Sequence, residues 1–124
     1  MTMLDNPRLL LHLEGAAGFG LATCLYRSSG FHWGWFLLLF LWPDLAMLGY
    51  LVSVRFGAQL YNFTHTTTLP ILMAGLAYVQ HGPECLAFAL IWIAHITFDR
   101  ALGYGLKYPT HFKDTHMQRV KQAA

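Results

Sequence analysis

The chain has 124 residues, of which 56% are hydrophobic, 15% are aromatic and only 11% are charged. Soluble domains carry roughly 25% charged residues, and one this small could not bury so much apolar surface in its core. With a mean hydropathy of +0.41, the composition favours an integral membrane protein, so the expected partner is the lipid bilayer. A net charge of +2 is too small to indicate a nucleic-acid-binding surface.

Four apolar segments predict an all-α fold, a four-span transmembrane helical bundle that forms one membrane domain. The predicted spans are residues 9–26, 31–53, 58–79 and 85–106, and a tail follows at 107–124. Each segment is long enough to cross the hydrocarbon core of a bilayer. Pro43 and Pro70 predict kinks in the second and third helices, because proline removes a helical hydrogen bond.

The basic residues predict the orientation of this bundle. One side of the membrane would hold Arg8, Arg55, Lys107, Lys113, Arg119 and Lys121, whereas the other would hold Arg27 alone. The positive-inside rule therefore places the N- and C-termini in the cytoplasm.

The two cysteines, Cys24 and Cys85, match no metal-binding or redox spacing. Two unpaired thiols are the simpler expectation. Both would lie near the outer face in this topology, so a disulfide between them remains an alternative.

Ionisable side chains inside apolar spans are costly, and they indicate functional sites. The fourth span holds three of them, at His95, Asp99 and Arg100. The other spans add Glu14, Asp44 and His65, with the polar residues Tyr61 and Asn62 beside His65. At a rise of 1.5 Å per residue, the acidic and histidine side chains fall about 9 to 16 Å from the cytoplasmic ends of their helices. A shared depth predicts one polar pocket in the cytoplasmic half of the bundle.

His95 and Asp99 are four residues apart and therefore share a helix face. Together with Asp44 and His65 they form a mixed nitrogen and oxygen ligand set, which suits a divalent ion such as Zn²⁺, Mn²⁺ or Fe²⁺. Helix bundles build metal sites from facing side chains in this way. These four residues are the predicted metal ligands.

The remaining polar residues of the layer have predicted supporting roles. Glu14 is the candidate general base, and Arg100 is the candidate anion holder, which could also pair with a carboxylate or a lipid phosphate. Tyr61 and Asn62 would hold the carboxylates in place. His111 and His116 are expected to be solvated tail residues, unless the tail folds back over the site.

Three functions fit this pattern. A metal-dependent hydrolase would act on a membrane-embedded or amphipathic small molecule. A proton or cation carrier would use the same acids and histidines as a relay, and four spans would then favour a homo-oligomer. A structural or assembly subunit of a larger membrane complex would use the polar layer only to fix helix packing.

The run YNFTH, followed by HITFDRALGYGLKYP and FKDTH, resembles the small bacterial membrane proteins of the domain of unknown function family 4260. The resemblance covers nearly the whole chain, and the HxxxDRxxGYGLKY run is its most specific part. It implies a location in the bacterial inner membrane and no particular reaction.

A second similarity, in motif order, is to the membrane-bound predicted metal-dependent hydrolases of the YdjM type. Pro43-Asp44, Thr64-His65 and the His95/Asp99 pair stand in the order of that family's motifs. The chain departs from the pattern at Ala46, where a second acidic residue is usual, and near Asn62, where a first histidine would stand. The similarity implies metal-dependent hydrolysis with fewer ligands than usual.

Overall fold

The computed structural model describes residues 2–109 and 115–117, and most of them are helical. The elements are a 3-10 turn Met3–Asp5, α1 Pro7–Ser29, α2 Trp33–Leu39, a 3-10 segment Trp42–Leu51, α3 Val54–His65, α4 Thr68–Val79 and α5 Pro83–Leu102. The described residues contain no strand, only an isolated β-bridge between Lys107 and Thr115. The predicted all-α fold is therefore confirmed.

Three helical stretches are long and apolar enough to cross a membrane. They are Pro7–Ser29, Trp33–Leu51 and Pro83–Leu102, with 23, 19 and 20 residues. They correspond to the first, second and fourth predicted spans. The bundle thus has the helical content and the apolar helices of a membrane protein.

The second of these stretches bends where the sequence predicts it. α2 ends at Leu39, and the 3-10 segment begins at Trp42 with Pro43 among its first residues. Proline is tolerated there because the first N–H groups of a helix have no intrahelical partner. The predicted kink at Pro43 is confirmed, and Asp44 lies in the first turn after it.

The predicted third span, 58–79, is two helices of 12 residues each, α3 and α4. The break comes at Thr66, whose extended backbone (φ −85°, ψ 136°) ends α3. Pro70 was expected to cause the bend, but it lies in the first turn of α4, where it costs no hydrogen bond. Each helix is only about 18 Å long, so neither crosses the bilayer alone.

α5 is the centre of the bundle, because α1, α2 and α4 all pack against it. The contact with α1 is close enough to require glycine. A Cβ added at Gly15 would lie 2.5 Å from the backbone nitrogen of Ala101. Buried side chains of both helices, such as Tyr26 and Ile91, complete this core.

α3 is amphipathic and packs on the 3-10 segment. Ser53 caps its N-terminus by accepting a hydrogen bond from the backbone N–H of Phe56, at 3.0 Å. Its buried face carries Tyr61, Thr64 and His65. This packing brings the C-terminal end of α3 to the turn that holds Asp44.

The chain reverses after α5 at Gly103, whose φ of 101° ends the helix in a left-handed conformation. The returning backbone pairs with Asn62, whose side-chain amide donates to the Lys107 carbonyl at 2.8 Å. The Lys107 N–H in turn donates to the Asn62 side-chain oxygen at 2.6 Å. The tail is therefore fastened to α3 beside the polar layer.

The cysteines and the C-terminal tail were also subjects of prediction. Cys24 and Cys85 are both free and exposed, so the structure contains no disulfide between them. The tail residues His111, Lys113, Arg119 and Lys121 lie outside the described residues.

Candidate metal centre

Four of the predicted ligands converge on one point. Asp44, His65, His95 and Asp99 each offer one donor atom, and the four atoms lie within 4.8 Å of one another. They come from three elements, since α5 supplies both His95 and Asp99, one helical turn apart. Sequence positions up to 55 residues apart thus form one cluster, as the shared depth predicts.

Each imidazole nitrogen is nearly equidistant from the other three donor atoms. His65 Nε2 lies 3.3 Å from Asp44 Oδ1 and 3.4 Å from Asp99 Oδ2. His95 Nε2 lies 3.2 Å from each of the same two oxygens. The two imidazole nitrogens are themselves 3.2 Å apart. Five of the six distances among the four atoms therefore fall between 3.2 and 3.4 Å.

The cluster is buried on the histidine side and opens on the carboxylate side. The side chains of His65 and His95 are 0% and 2% exposed, whereas those of Asp99 and Asp44 are 14% and 34% exposed. Asp44 is thus the most accessible of the four groups.

The hydrogen bonds of His65 fix its tautomer. Its Nδ1 lies 2.9 Å from the Tyr61 carbonyl oxygen, which can only accept, so Nδ1 carries the hydrogen. In the neutral ring the lone pair is then on Nε2, which faces the cluster. A ligating histidine is usually oriented by such a hydrogen bond from its other nitrogen.

Thr64 connects the elements around the cluster. Its hydroxyl is 2.9 Å from His65 Nδ1 and donates to the Pro43 carbonyl at 3.1 Å. The indole N–H of Trp92 on α5 donates to the Thr64 carbonyl at 2.6 Å. This network joins α3 to the turn that carries Asp44 and to the helix that carries His95.

Tyr61 and Asn62 lie beside the cluster, but neither forms the predicted hydrogen bond to a carboxylate in the described residues. The ring of Tyr61 stacks on the His65 imidazole, with centroids 3.7 Å apart and planes 8° apart. Asn62 instead pairs with the backbone of Lys107.

Glu14 and Arg100 do not join the cluster. Glu14 is exposed on α1. Arg100 donates to the carbonyls of His65 and Tyr104, both at 2.9 Å, and thereby ties α3 to the start of the tail. Within the described part of the chain, Arg100 forms no salt bridge with Glu14 or Asp44, so that predicted pairing is not formed.

Sequence reasoning missed the importance of Lys107, which is only 6% exposed and whose ammonium lies 4.8 Å from the centre of the Tyr61 ring. Burial lowers the pKa of Lys107, and the charge of Asp99 opposes that effect. In the sequence, a lysine just after the last span indicates only the orientation of the bundle in the membrane. Its burial depends on the return of the tail to α3, which the sequence pattern does not predict.

His116 also folds back, as the second interpretation of the tail allowed. Its Nδ1 accepts a hydrogen bond from the Leu106 N–H at 2.8 Å. Burial, followed by the positive charge of Arg100, lowers the pKa of His116. The residue therefore anchors the returning tail through this hydrogen bond, although its side chain is exposed.

A cavity of about 250 Å³ adjoins the cluster. Its lining includes Asp44, Asp99 and Lys107. Met47, Tyr61 and Tyr104 complete it. A small molecule in this cavity would meet the open side of the cluster.

A family model described as Domain of unknown function (DUF4260) matches residues 8–120, which is most of the chain. No curated protein matches the sequence, and no solved structure does. The similarity to YdjM-type hydrolases stays a prediction.

Proposed function

The chain belongs to the DUF4260 family, whose description assigns no activity, and we propose that it is a metal-dependent hydrolase embedded in the membrane. In this proposal Asp44, His65, His95 and Asp99 bind one divalent transition-metal ion. The substrate is an amphipathic molecule that reaches the site from the bilayer. The protein would lie in the bacterial inner membrane with both termini in the cytoplasm.

One observation carries the proposal, namely the spacing of the four donor atoms. Zinc binds imidazole nitrogen at about 2.0–2.1 Å and carboxylate oxygen at similar distances, so the edges of a tetrahedral site are about 3.3–3.4 Å long. Five of the six distances here are 3.2–3.4 Å. Five edges therefore match those of a zinc site, and the sixth, between the two carboxylate oxygens, is within 4.8 Å.

A purely hydrogen-bonded network explains this arrangement less well. His65 uses its N–H on the Tyr61 carbonyl, so it offers a lone pair to the cluster. A neutral His95 can direct at most one N–H into the cluster. The cluster would then hold three acceptors, namely the His65 lone pair and the two carboxylates, for a single donor. Protonating both rings would set two cationic N–H groups 3.2 Å apart. One divalent ion satisfies all four donors at once.

The exposure of the ligands suggests how hydrolysis would proceed. Asp44 is the most accessible donor and borders the cavity, so it is the ligand that would yield its position to water. A bound ion would supply a water of lowered pKa, and the Asp44 carboxylate would accept one of its protons. The water oxygen would bond to the substrate as the bond to the leaving group breaks, and Asp44 would pass that proton to the leaving group.

This scheme assigns to Asp44 the proton transfer that the sequence pattern assigned to Glu14. The reason is position, since Glu14 is exposed on α1 and outside the cluster. Arg100 likewise acts through the fold, because its guanidinium holds the His65 carbonyl and so the end of α3.

Metal analysis of the purified full-length chain tests the proposal. Protein extracted in detergent without chelators is expected to hold about one equivalent of zinc, manganese or iron by plasma mass spectrometry. His95→Ala and Asp99→Ala should each lose it. His81→Asn is the matched control, because His81 is exposed in a turn with φ 56°, a conformation that asparagine tolerates. Parent protein without stoichiometric metal after incubation with each ion would refute the proposal.

A further inference from the structure

We propose that a second cavity, at the opposite end of the bundle from the metal centre, binds a quaternary ammonium group carried on an apolar tail. The cavity has a volume of about 280 Å³ and lies among α1, the start of α2 and the start of α5. Glu84 in its lining precedes His95 by eleven residues of α5, which is about 16 Å along the helix axis. The proposal is therefore independent of the metal centre.

One wall of the cavity is a single stripe of α5. The lining residues on this helix are Glu84, Ala87, Phe88 and Ile91. They stand at positions i, i+3, i+4 and i+7, so they share one helix face over about 10 Å of its length. The stripe is acidic where the helix begins and apolar nearer to the metal centre.

The facing wall has the same direction of polarity. Phe31, Trp35 and Leu39 line it at intervals of four residues. α2 and α5 both run toward the metal centre, because Asp44 follows α2 and Asp99 lies in the last turns of α5. The two aromatic residues therefore lie toward the acidic end of the cavity, and Leu39 lies toward the apolar end. A ligand that matches both walls has a polar head and an apolar tail.

Half of the eight lining residues are aromatic, and contacts outside the cavity hold two of these rings in place. Tyr26 is 0% exposed, its ring packs on Phe36 with centroids 5.1 Å apart, and its hydroxyl donates to the His32 carbonyl at 2.8 Å. Phe88 stacks on Trp42 with centroids 5.6 Å apart. Aromatic faces attract cations through their quadrupole, so the lining is a preformed surface for a cation.

Glu84 supplies a matching negative charge. Of the described residues that line the cavity, it alone is charged, and within the described part of the chain it forms no salt bridge. A carboxylate beside aromatic rings favours a cationic group and repels an anionic one. Glu84 also lies in the first turn of α5, where an acidic side chain stabilises the helix dipole, so the experiment must separate these two roles.

The chemistry of the lining favours a quaternary ammonium over a primary one. A primary ammonium has three N–H donors, and Glu84 is the only carboxylate that the described lining offers them. A quaternary ammonium has no N–H group and is recognised by aromatic surfaces instead. The volume is just below the roughly 300–1,000 Å³ of pockets that enclose a drug-sized ligand. The cavity would therefore hold the headgroup and the first part of the tail.

Titration calorimetry of the full-length chain in dodecyl maltoside micelles tests the proposal, with titrations into protein-free micelles subtracted. Hexyltrimethylammonium is expected to bind, and hexanol and hexanoate, which have the same chain length, are expected to bind about tenfold more weakly or not at all. Dihexanoyl phosphatidylcholine, with dihexanoyl phosphatidylglycerol as its control, identifies the source of the ammonium. Tighter binding of phosphatidylcholine than of hexyltrimethylammonium assigns a lipid headgroup, and weaker binding assigns a soluble amphipathic cation.

Two substitutions in the lining should weaken the binding of hexyltrimethylammonium. We expect a loss of about three- to tenfold for Trp35→Leu, which removes a cation–π partner, and of about fivefold for Glu84→Gln, which removes the charge. Trp33→Leu is the matched control on α2, because Trp33 is 42% exposed and does not line the cavity. Glu14→Gln, at an exposed position on α1, is the control for the loss of a carboxylate.

Two results would overturn the proposal. Parent protein that binds hexanol as tightly as hexyltrimethylammonium would mean that the cavity accepts any apolar chain. A Glu84→Gln variant with the affinity of the parent and a lower melting temperature would mean that Glu84 only stabilises the first turn of α5.

Discussion

Thr64 offers a test of the metal centre at a residue that is not a ligand. Its hydroxyl contacts His65 Nδ1 and the Pro43 carbonyl, so it orients one ligand and fixes the turn before another. Thr64→Val keeps the shape and removes these bonds. Partners of this kind are worth about 10- to 100-fold in metal affinity, and we expect about tenfold because the Tyr61 carbonyl remains.

A competition titration with a zinc chelator of known affinity would measure this loss. Thr66→Val is the matched control, since the Thr66 hydroxyl contacts only the Thr68 hydroxyl, at 3.5 Å, among the described residues. Equal zinc affinity in both variants would mean that Thr64 does not orient His65.

At the same scale, the sequence predicted the four residues of the cluster, because an ionisable side chain in an apolar span is costly. The depth of each residue in its span predicts that Asp44, His65, His95 and Asp99 share one layer. Depth does not say which way a side chain points around the helix axis. Glu14 was therefore assigned to the site, although its side chain is exposed on α1. Lys107 was missed for the opposite reason, since its position depends on a loop that returns to α3.

The packing of α1 on α5 can be tested with two glycines of one helix. A Cβ at Gly15 would lie 2.5 Å from the Ala101 nitrogen, whereas one at Gly20 would meet nothing within 4 Å. Gly15→Ala must therefore separate the two helices and should destabilise the fold by about 1–3 kcal/mol. Gly20→Ala should leave stability unchanged or raise it by up to about 1 kcal/mol, through helix propensity alone.

Unfolding in mixed micelles of detergent and denaturant would compare the two variants with the parent. The comparison is controlled internally, because both substitutions add the same methyl group to the same helix. A Gly15→Ala variant as stable as Gly20→Ala would contradict the close approach of α1 and α5.

Element boundaries could be predicted where the length of an apolar stretch determines them. The prediction failed where local backbone conformation determines the boundary. The three long apolar stretches appear as predicted. Residues 58–79 also read as one span, yet the chain leaves the helix at Thr66. That residue is the first of three consecutive threonines, whose β-branched side chains lower helix propensity. The break frees His65 to end α3 inside the bundle, which a continuous helix would not do.

At the scale of the whole molecule, composition was enough to predict a membrane protein. It did not predict which contacts hold the helices together. α3 packs along the 3-10 segment, and the cluster, its hydrogen bonds and the Arg100 bond to the His65 carbonyl join both elements to α5. α3 and α4 are too short to be held by the bilayer as independent spans. A bound ion would therefore stabilise the fold across three elements as well as serve chemistry.

Removal of the metal should accordingly lower the melting temperature of the whole bundle. A ligand that binds only the folded state at 100 times its dissociation constant adds about 2.7 kcal/mol to stability. We expect the detergent-solubilised chain to melt several degrees lower after EDTA treatment and to recover on addition of Zn²⁺. His95→Ala, which lacks one ligand, should melt at the same temperature with and without the chelator. A parent protein whose melting temperature no divalent ion shifts would mean that the polar layer only fixes helix packing.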